Sequence, residues 1–459
     1  MKRIGTHLIV TLAVLFVMVP GLVMGAAKGK VSGRVVDAYT KKPISGAFVA
    51  LNGVTMQTDA NGMFAYTGTG ERLSARAYGY TRAEQTLTPA TAGFPVEMKL
   101  TPFTPKALYL TFYGIGDRGI RENALRLINE TELNALVIDV KGDRGAVTYK
   151  TSVPLAGQIG AQKLIIVKDI KGLIQSMKER GIYTIARIVV FKDNMLGEAR
   201  PDLTVRKQQD GSVWRDRENL VWVDPSKREV WEYNINLAVE AAQNGFDEIQ
   251  FDYVRFPDRK GLKFAIENTE ENRVNAISGF LAEAKRRLAP YNVFLAADIF
   301  GYVPWNPDDT QIGQRLDKLI HCVDYISLML YPSGFQFGIP GHRNPVANSY
   351  EIVYKSLKKS QERTNIASVR FRPWLQAFRD YAFDKRFFTG TEIRSQIRAA
   401  EEFGANGWML WNPRNAYSSD GLKRETATRY TTPGTPAAGT VAPGAKPVAQ
   451  NEETFNKRS

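Results

Sequence analysis

Phe246-Asp247-Glu248-Ile249-Gln250-Phe251-Asp252-Tyr253-Val254-Arg255-Phe256-Pro257 alternates as a β-strand should. Ile249 and Phe251 fall on one parity, and Glu248, Gln250 and Asp252 on the other. The apolar side can therefore face covering helices while the polar side faces inward. The strand ends by presenting a carboxylate, Asp252, and a guanidinium, Arg255, before Pro257 stops it. In α/β barrels the chemistry sits at the C-terminal ends of inward-facing strands.

Working outward, the chain from Lys106 to about Tyr417 alternates apolar strands with amphipathic helices, the pattern of a parallel sheet with crossover helices. Eight strand candidates fall at 107–113, 134–140, 183–190, 248–254, 292–300, 324–330, 372–378 and 407–411. Helical stretches separate them at 168–180, 228–244, 273–288, 350–362 and 391–403. This predicts an α/β chain built on a (β/α)8 TIM barrel with long loops. An open doubly wound sheet is the competing arrangement, but no glycine fingerprint follows the first strand.

The 459 residues are enough for a barrel plus a small module, and 44% apolar with 11% aromatic content reads as globular. The net charge of +14, from 61 basic and 47 acidic residues, would attract nucleic acid, anionic lipid or acidic polysaccharide without telling them apart. The basic residues form no long run, so a solvated surface is the simpler reading and no nucleic-acid partner is expected. Cys322 is the sole cysteine and reads as a small buried residue, so no intrachain disulfide can form. His7, His321 and His342 are the only histidines, and with one cysteine they are too few for the commoner zinc centres. That argues against a metallopeptidase. Neither a Gly-x-Ser-x-Gly elbow nor a phosphate-cradling glycine loop is present.

Residues 1–26 carry Lys2 and Arg3, an apolar core over 8–19, then Pro20-Gly21 and small residues, the features of a cleavable secretory signal. The expected location is secreted or periplasmic, with no stable membrane insertion after cleavage. Residues 28–102 show short alternating strands with turn residues, including Asn61-Gly62, and predict a small all-β sandwich. The motifs Val-Ser-Gly-Arg-Val-Val-Asp, Pro-Ile-Ser-Gly-Ala-Phe-Val, Thr-Asp-Ala-Asn-Gly-Met-Phe and Tyr-Gly-Tyr resemble the carboxypeptidase regulatory-like (transthyretin-like) domain. Such modules are accessory in proteins of many kinds. The barrel is expected to run over 106–430. The Thr-, Pro-, Gly- and Ala-rich tail, 431–459, reads as disordered.

Side-chain parity picks out the residues that would line the barrel's upper end. Asp139 and Lys141 point inward on the second strand, with Asp143 in the loop beyond; Arg187 does so on the third, Asp252 on the fourth and Asp298 on the fifth. Ser327, Met329 and Tyr331 face inward on the sixth strand, and Trp374, Gln376 and Phe378 on the seventh; the eighth ends at Trp411-Asn412. Unpaired charges are costly to bury, so charged and amide groups near the ends of five strands imply pairing with each other or with a ligand. A pair such as Asp252 and Asp298 could flank a glycosidic bond, one ionised as nucleophile or base and the other protonated as acid. Arg255 or Arg187 beside Asp252 would hold it ionised, leaving Asp298 as acid and Asp139 as reserve for either role. Lys141, Arg187, Arg255, Tyr331, Trp374, Gln376, Trp411 and Asn412 are the candidate substrate contacts. Tyr113, Phe191 and Trp305 extend the aromatic set on which sugar rings could stack. No cofactor and no metal is called for, although loop acids near Asp139 and Asp143 leave an oxygen-rich cation site open.

Asn-Ala-Leu-Val-Ile-Asp-Val-Lys-Gly-Asp-Arg-Gly, the quoted strand, Asp-Tyr-Ile-Ser-Leu-Met-Leu-Tyr-Pro-Ser and Pro-Trp-Leu-Gln-Ala-Phe resemble a bacterial glycoside hydrolase domain family. Its members are predicted barrels distantly similar to α-amylase-like enzymes. The resemblance spans 106–417 and implies a (β/α)8 barrel and a carbohydrate substrate. It maps onto Asp139, Lys141, Asp252, Arg255, Asp298, Tyr331, Gln376 and Trp411. In α-amylase-like enzymes the acid is usually Glu, whereas this fifth strand offers Asp298. The expected function is hydrolysis of a polysaccharide; a non-catalytic carbohydrate-binding barrel is the alternative.

Overall fold

The computed structural model describes residues 30–88, 94–425 and Tyr430. The leader read in 1–26 and the tail read in 431–459 lie outside the described residues.

Eight parallel strands close into a barrel. In chain order they are Lys106–Leu110, Ala135–Lys141, Tyr183–Val189, Glu248–Asp252, Phe294–Phe300, Tyr325–Met329, Trp374–Gln376 and Trp408–Trp411. Each overlaps its expected range, most of them shortened at the ends by loops. Closure is completed by the eighth strand pairing with the first, which excludes the open doubly wound sheet.

Parity sorts the side chains as the strand period requires. Leu136, Ile138, Ile188, Ile249, Phe251, Leu295, Ile299, Ile326 and Leu375 pack outward in one apolar cluster with the covering helices. The helix Arg228–Gln243 buries Val230, Ile235, Leu237, Ala238 and Ala241 at helical spacing against that layer. Gly390–Phe403 opens with a reciprocal Thr389–Glu392 capping box and closes at Gly404, whose φ of +83° suits glycine. Inside the barrel, Tyr109, Val137, Ile185, Phe294, Tyr325 and Met409 belong to a second, separate cluster.

Strands between Lys30 and Leu100 form two sheets. Met63–Thr67, Lys30–Asp37 and Val96–Leu100 make one; Val54–Gln57, Phe48–Leu51, Arg72–Arg76 and Ala83–Thr86 make the other. The sheets share a core of Val35, Val49, Leu51, Phe64, Leu73 and Met98, which is a small β-sandwich. Gly33 is required there, because a Cβ would lie 1.9 Å from the Val96 carbonyl oxygen of the adjacent parallel strand.

The sandwich seals the N-terminal end of the barrel. Arg82 reaches across to Asp247 at 2.5 Å and donates to the Asn292 carbonyl, while Asp247 also accepts from the Thr184 amide and hydroxyl. The Gly79 amide donates to the Tyr325 hydroxyl, and Tyr78 packs edge-on to Tyr325. Tyr430 completes the plug, its ring against Phe103 and Tyr183 and its amide donating to the Gly181 carbonyl. Buried charges are thus paired across the contact, the condition under which burial is tolerated. Cys322 is only partly buried, its thiol against the Lys318 carbonyl, because it sits in the turn after a four-residue helix rather than in the strand.

Candidate active site

A circuit of polar side chains runs around the C-terminal half of the barrel interior. The Tyr109 hydroxyl, from the first strand, donates to Asp139 Oδ2 at 2.7 Å, and the Phe112 amide donates to the same oxygen. Arg187, wholly buried on the third strand, donates to Asp139 Oδ1 at 2.7 Å and to Asp252 Oδ2 through two nitrogens at 3.0 and 2.5 Å. It also reaches Asp143, at the more exposed edge, at 3.0 Å. Phe251 pairs with Ala297, so Asp252 and Asp298 follow side by side on adjacent strands. Asp298 Oδ1 accepts from the Trp374 indole at 2.7 Å. Trp411 lies flat on Tyr109, centroids 4.0 Å apart and planes within 8°, with the Arg187 guanidinium 4.9 Å from the Trp411 ring centre.

These surroundings push the carboxyl groups in different directions. Burial raises Asp139, further helped by Asp143, against the pull of Arg187 and Tyr109; the result is about 6. Burial and the negative charge of Asp252 together hold Asp298 well above the usual carboxylate range, only partly offset by the Trp374 N–H and by Arg187. Arg187 is kept charged: burial opposes this, but Asp139 and Asp252 outweigh it. Asp298 thus holds its proton more tightly than an ordinary carboxyl does, beside an Asp252 that Arg187 bonds through two nitrogens.

Above the circuit opens a cavity of about 270 Å³. Arg187, Asp252 and Trp411 contribute to it from below, Met329 and Tyr331 from the sixth strand and its exit, and Tyr253 and Arg255 from the loop after the fourth. Tyr302, Phe335 and Tyr381 come from later loops. Gly301 leaves bare backbone in the wall, since a Cβ would approach the Met329 carbonyl oxygen to 2.5 Å. Tyr253 adopts φ +49°, a left-handed conformation unusual for an aromatic residue, and its amide donates to Asp252 Oδ1 at 2.6 Å. Asp298, 1% exposed, stands beside Asp252 and outside the cavity wall.

Of the expected contacts, Lys141, Trp374, Gln376 and Asn412 are not among the residues that line the cavity. Lys141 does not point inward: Arg187 pairs with Asp139 but Ile188 with Lys141, so a bulge at Val140 turns Lys141 to the outer side. There it is fully buried, bonds Asp193 at 2.5 Å and lies 5.1 Å from the Tyr233 ring centre. Gln376 is consumed by structure, accepting from the Ser333 amide and donating to the Ser333 hydroxyl and Phe378 carbonyl. Asn412 likewise ties its own loop, donating to the Ala377 and Ala416 carbonyls. Of the aromatic set, Tyr331, Trp374 and Trp411 gather at the circuit. Phe191 packs outward on Phe280, Trp305 donates to Ser356 on a covering helix, and Tyr113 is 65% exposed on the first loop. Arg255 forms no ion pair with Asp252; that partner is Arg187. Sequence reading missed Tyr253, Tyr302, Phe335 and Tyr381 as wall residues. Only Tyr253 had a signal, its place next to Asp252; the others depend on loop paths that strand parity does not reach.

Residues 107–417 match the family described as "Putative glycosyl hydrolase domain". The chain belongs to that family. No curated protein matches it. Among solved structures, the glycoside hydrolase domain of PgaB (BpsB) from Bordetella bronchiseptica aligns over 68% of this chain and 95% of its own at 14% identity and a TM-score of 0.51. At that identity the likeness is one of fold. A hypothetical protein from Ruminiclostridium thermocellum ATCC 27405 is 38% identical over 42% of this chain and 96% of its own, with a TM-score of 0.38. A chitinase from Chromobacterium violaceum ATCC 12472 is 12% identical over 70% of this chain and 96% of its own, with a TM-score of 0.41.

Proposed function

We propose that this glycosyl hydrolase-family barrel hydrolyses glycosidic bonds of a polysaccharide, with Asp252 as nucleophile or base and Asp298 as acid. The observation that carries the reading is the pair itself: a carboxylate gripped by Arg187 through two nitrogens beside a carboxyl that burial and its neighbour's charge hold well above the usual carboxylate range. Two carboxyl groups driven to opposite protonation states are what glycoside hydrolysis requires. Asp298 stands behind the cavity wall, so its proton would reach the leaving glycosidic oxygen by way of a water or a substrate group lodged beside Asp252, as the bond to the anomeric carbon breaks. Asp252 would supply the electron pair at that carbon, directly or through water. Tyr331 and Trp411 offer ring faces to the sugar, and Arg255 a polar contact. Asp139 acts through Arg187, which it shares with Asp252. The leader read in 1–26 makes the enzyme secreted or periplasmic, and the carboxypeptidase regulatory-like sandwich its accessory module.

The test is release of new reducing ends from a panel of polysaccharides. The native protein should cleave at least one, and Asp252→Asn should abolish cleavage while keeping the native circular dichroism spectrum. Binding of a glycan without cleavage by either protein would favour a non-catalytic carbohydrate-binding barrel.

A further inference from the structure

We infer that the subsite beside Asp252 receives a sugar bearing a carboxylate, so that the substrate is a glycan containing hexuronic acid, with Arg255 as the residue that recognises the acid group. The inference rests on the glycoside hydrolase reading and adds the chemistry of the substrate to it.

The buried arginines set the comparison. Arg82 pairs with Asp247, Arg187 with Asp139 and Asp252, Arg273 with Asp309 and Arg372 with Glu248, each at 2.7 Å or less, and Arg76 reaches Asp324 more loosely at 3.7 Å. Arg255 is partly buried, lines the cavity, and is the exception: among the described residues no carboxylate is in ion-pair contact with it. Its one hydrogen bond to protein is from a terminal nitrogen to the Phe256 carbonyl at 3.1 Å. The remaining donors of a five-donor fork are left over. The rings of Trp222 and Tyr253, 5.0 and 5.4 Å from the guanidinium carbon, steer the group and contribute no charge. The carboxylates around it are engaged elsewhere or turned to solvent. Asp252 is held by Arg187, Asp216 accepts from the Trp222 indole and pairs with Lys192, and Asp258 is exposed. Burial consequently depresses the Arg255 guanidinium from its ordinary value, with the more distant Tyr253 and Asp252 only partly restoring it.

A partly buried cation with free donors on a cavity wall, where Asp252 and Asp216 already have partners, is complementary to an anion brought by the ligand. The planar fork matches a carboxylate with two parallel bonds, and the aromatic groups Tyr331 and Trp411 on the same cavity suit the ring that carries it. The overall charge of +14 would draw such a polyanion toward the protein.

The experiment titrates the full protein and the variants Arg255→Gln and Arg255→Lys with oligogalacturonate, glucuronate-containing and alginate oligomers and with their methyl esters. It is read by calorimetry and tryptophan fluorescence at physiological ionic strength, with dextran sulfate as the control for unspecific attraction. The native protein should prefer at least one acid oligomer over its ester by about tenfold or more. Arg255→Gln should bind acid and ester alike, and Arg255→Lys, unable to form the fork, should fall between. Equal binding of acid and ester by native protein, no acid oligomer bound, a preference that survives in Arg255→Gln, or the same dextran sulfate affinity as for every acid oligomer would each overturn the inference. The two readings separate cleanly: cleavage of a neutral polysaccharide with no acid preference keeps the hydrolase and removes the acid subsite. Arg255-dependent acid binding with nothing cleaved does the reverse.

Discussion

At the scale of single residues, what matters is which carboxyl keeps its proton. Asp252 was legible from the sequence because it ends a strand of clear parity, and Asp298 because its own strand has the same parity one position across. Which arginine holds Asp252, Arg187 or Arg255, was left open by the sequence; Arg187 does, approaching from the neighbouring third strand, while Arg255 turns away after the left-handed Tyr253. Asp139 offers a test in solution. Its folded value of about 6 exceeds the ordinary 3.8, so the fold binds this proton more tightly than the unfolded chain does. The resulting stability is fully present below the unfolded value and is lost as pH rises through the folded one. A displacement of about two units corresponds to about 3 kcal/mol. Asp139→Asn cannot ionise, so the stability of the native protein relative to this variant should fall by about 2 kcal/mol between pH 4 and pH 7 in urea unfolding. A difference independent of pH would show that Asp139 is not held neutral in this way.

At the scale of elements, strand parity reached as far as the strands stay regular. All eight strands were legible from alternation, and so was the outward set that meets the helices. Lys141 shows the limit. One extra residue at Val140 shifts the register, and a position read as facing the cavity faces the helix layer instead. No local sequence feature of 135–141 announces that bulge; it places Lys141, at the end of the second strand, in a buried pair with Asp193 from the loop after the third. Lys141→Ala should therefore leave Asp193 as an uncompensated buried charge and destabilise the protein by about 3–5 kcal/mol. Chemical denaturation should detect that loss, while KM for any cleaved glycan stays within about twofold, the opposite of what a substrate contact would give. Gln376 and Asn412 make the same point with amides: inward or terminal position is not availability, because loops returned to use their hydrogen bonds.

At the scale of the whole molecule, the two ends of the barrel are used differently. The N-terminal end is closed by the sandwich and Tyr430, with the Arg82–Asp247 pair and Glu248–Arg372 below the site. The C-terminal end is left open over the carboxylate circuit, the division usual in this architecture. A small β module ahead of the barrel was legible from the short alternating strands before the barrel pattern begins. The docking was not, because it depends on residues such as Arg82 and Asn292 that are 210 positions apart and carry no shared motif. The shape of the cavity was equally hidden, since Tyr302, Phe335 and Tyr381 arrive on long loops.

The role of Asp298 as proton donor is tested most directly by comparing native protein and Asp298→Asn on a cleaved polysaccharide and on an aryl glycoside of the same sugar with a nitrophenolate leaving group. A leaving group that needs no proton bypasses the acid. Asp298→Asn should lose at least about a hundredfold in kcat/KM on the polysaccharide, keep most of its rate on the aryl glycoside, and lack the alkaline limb of the native pH profile. Equal losses on both substrates, with the alkaline limb retained, would contradict that role and leave Asp298 as a buried support for Asp252.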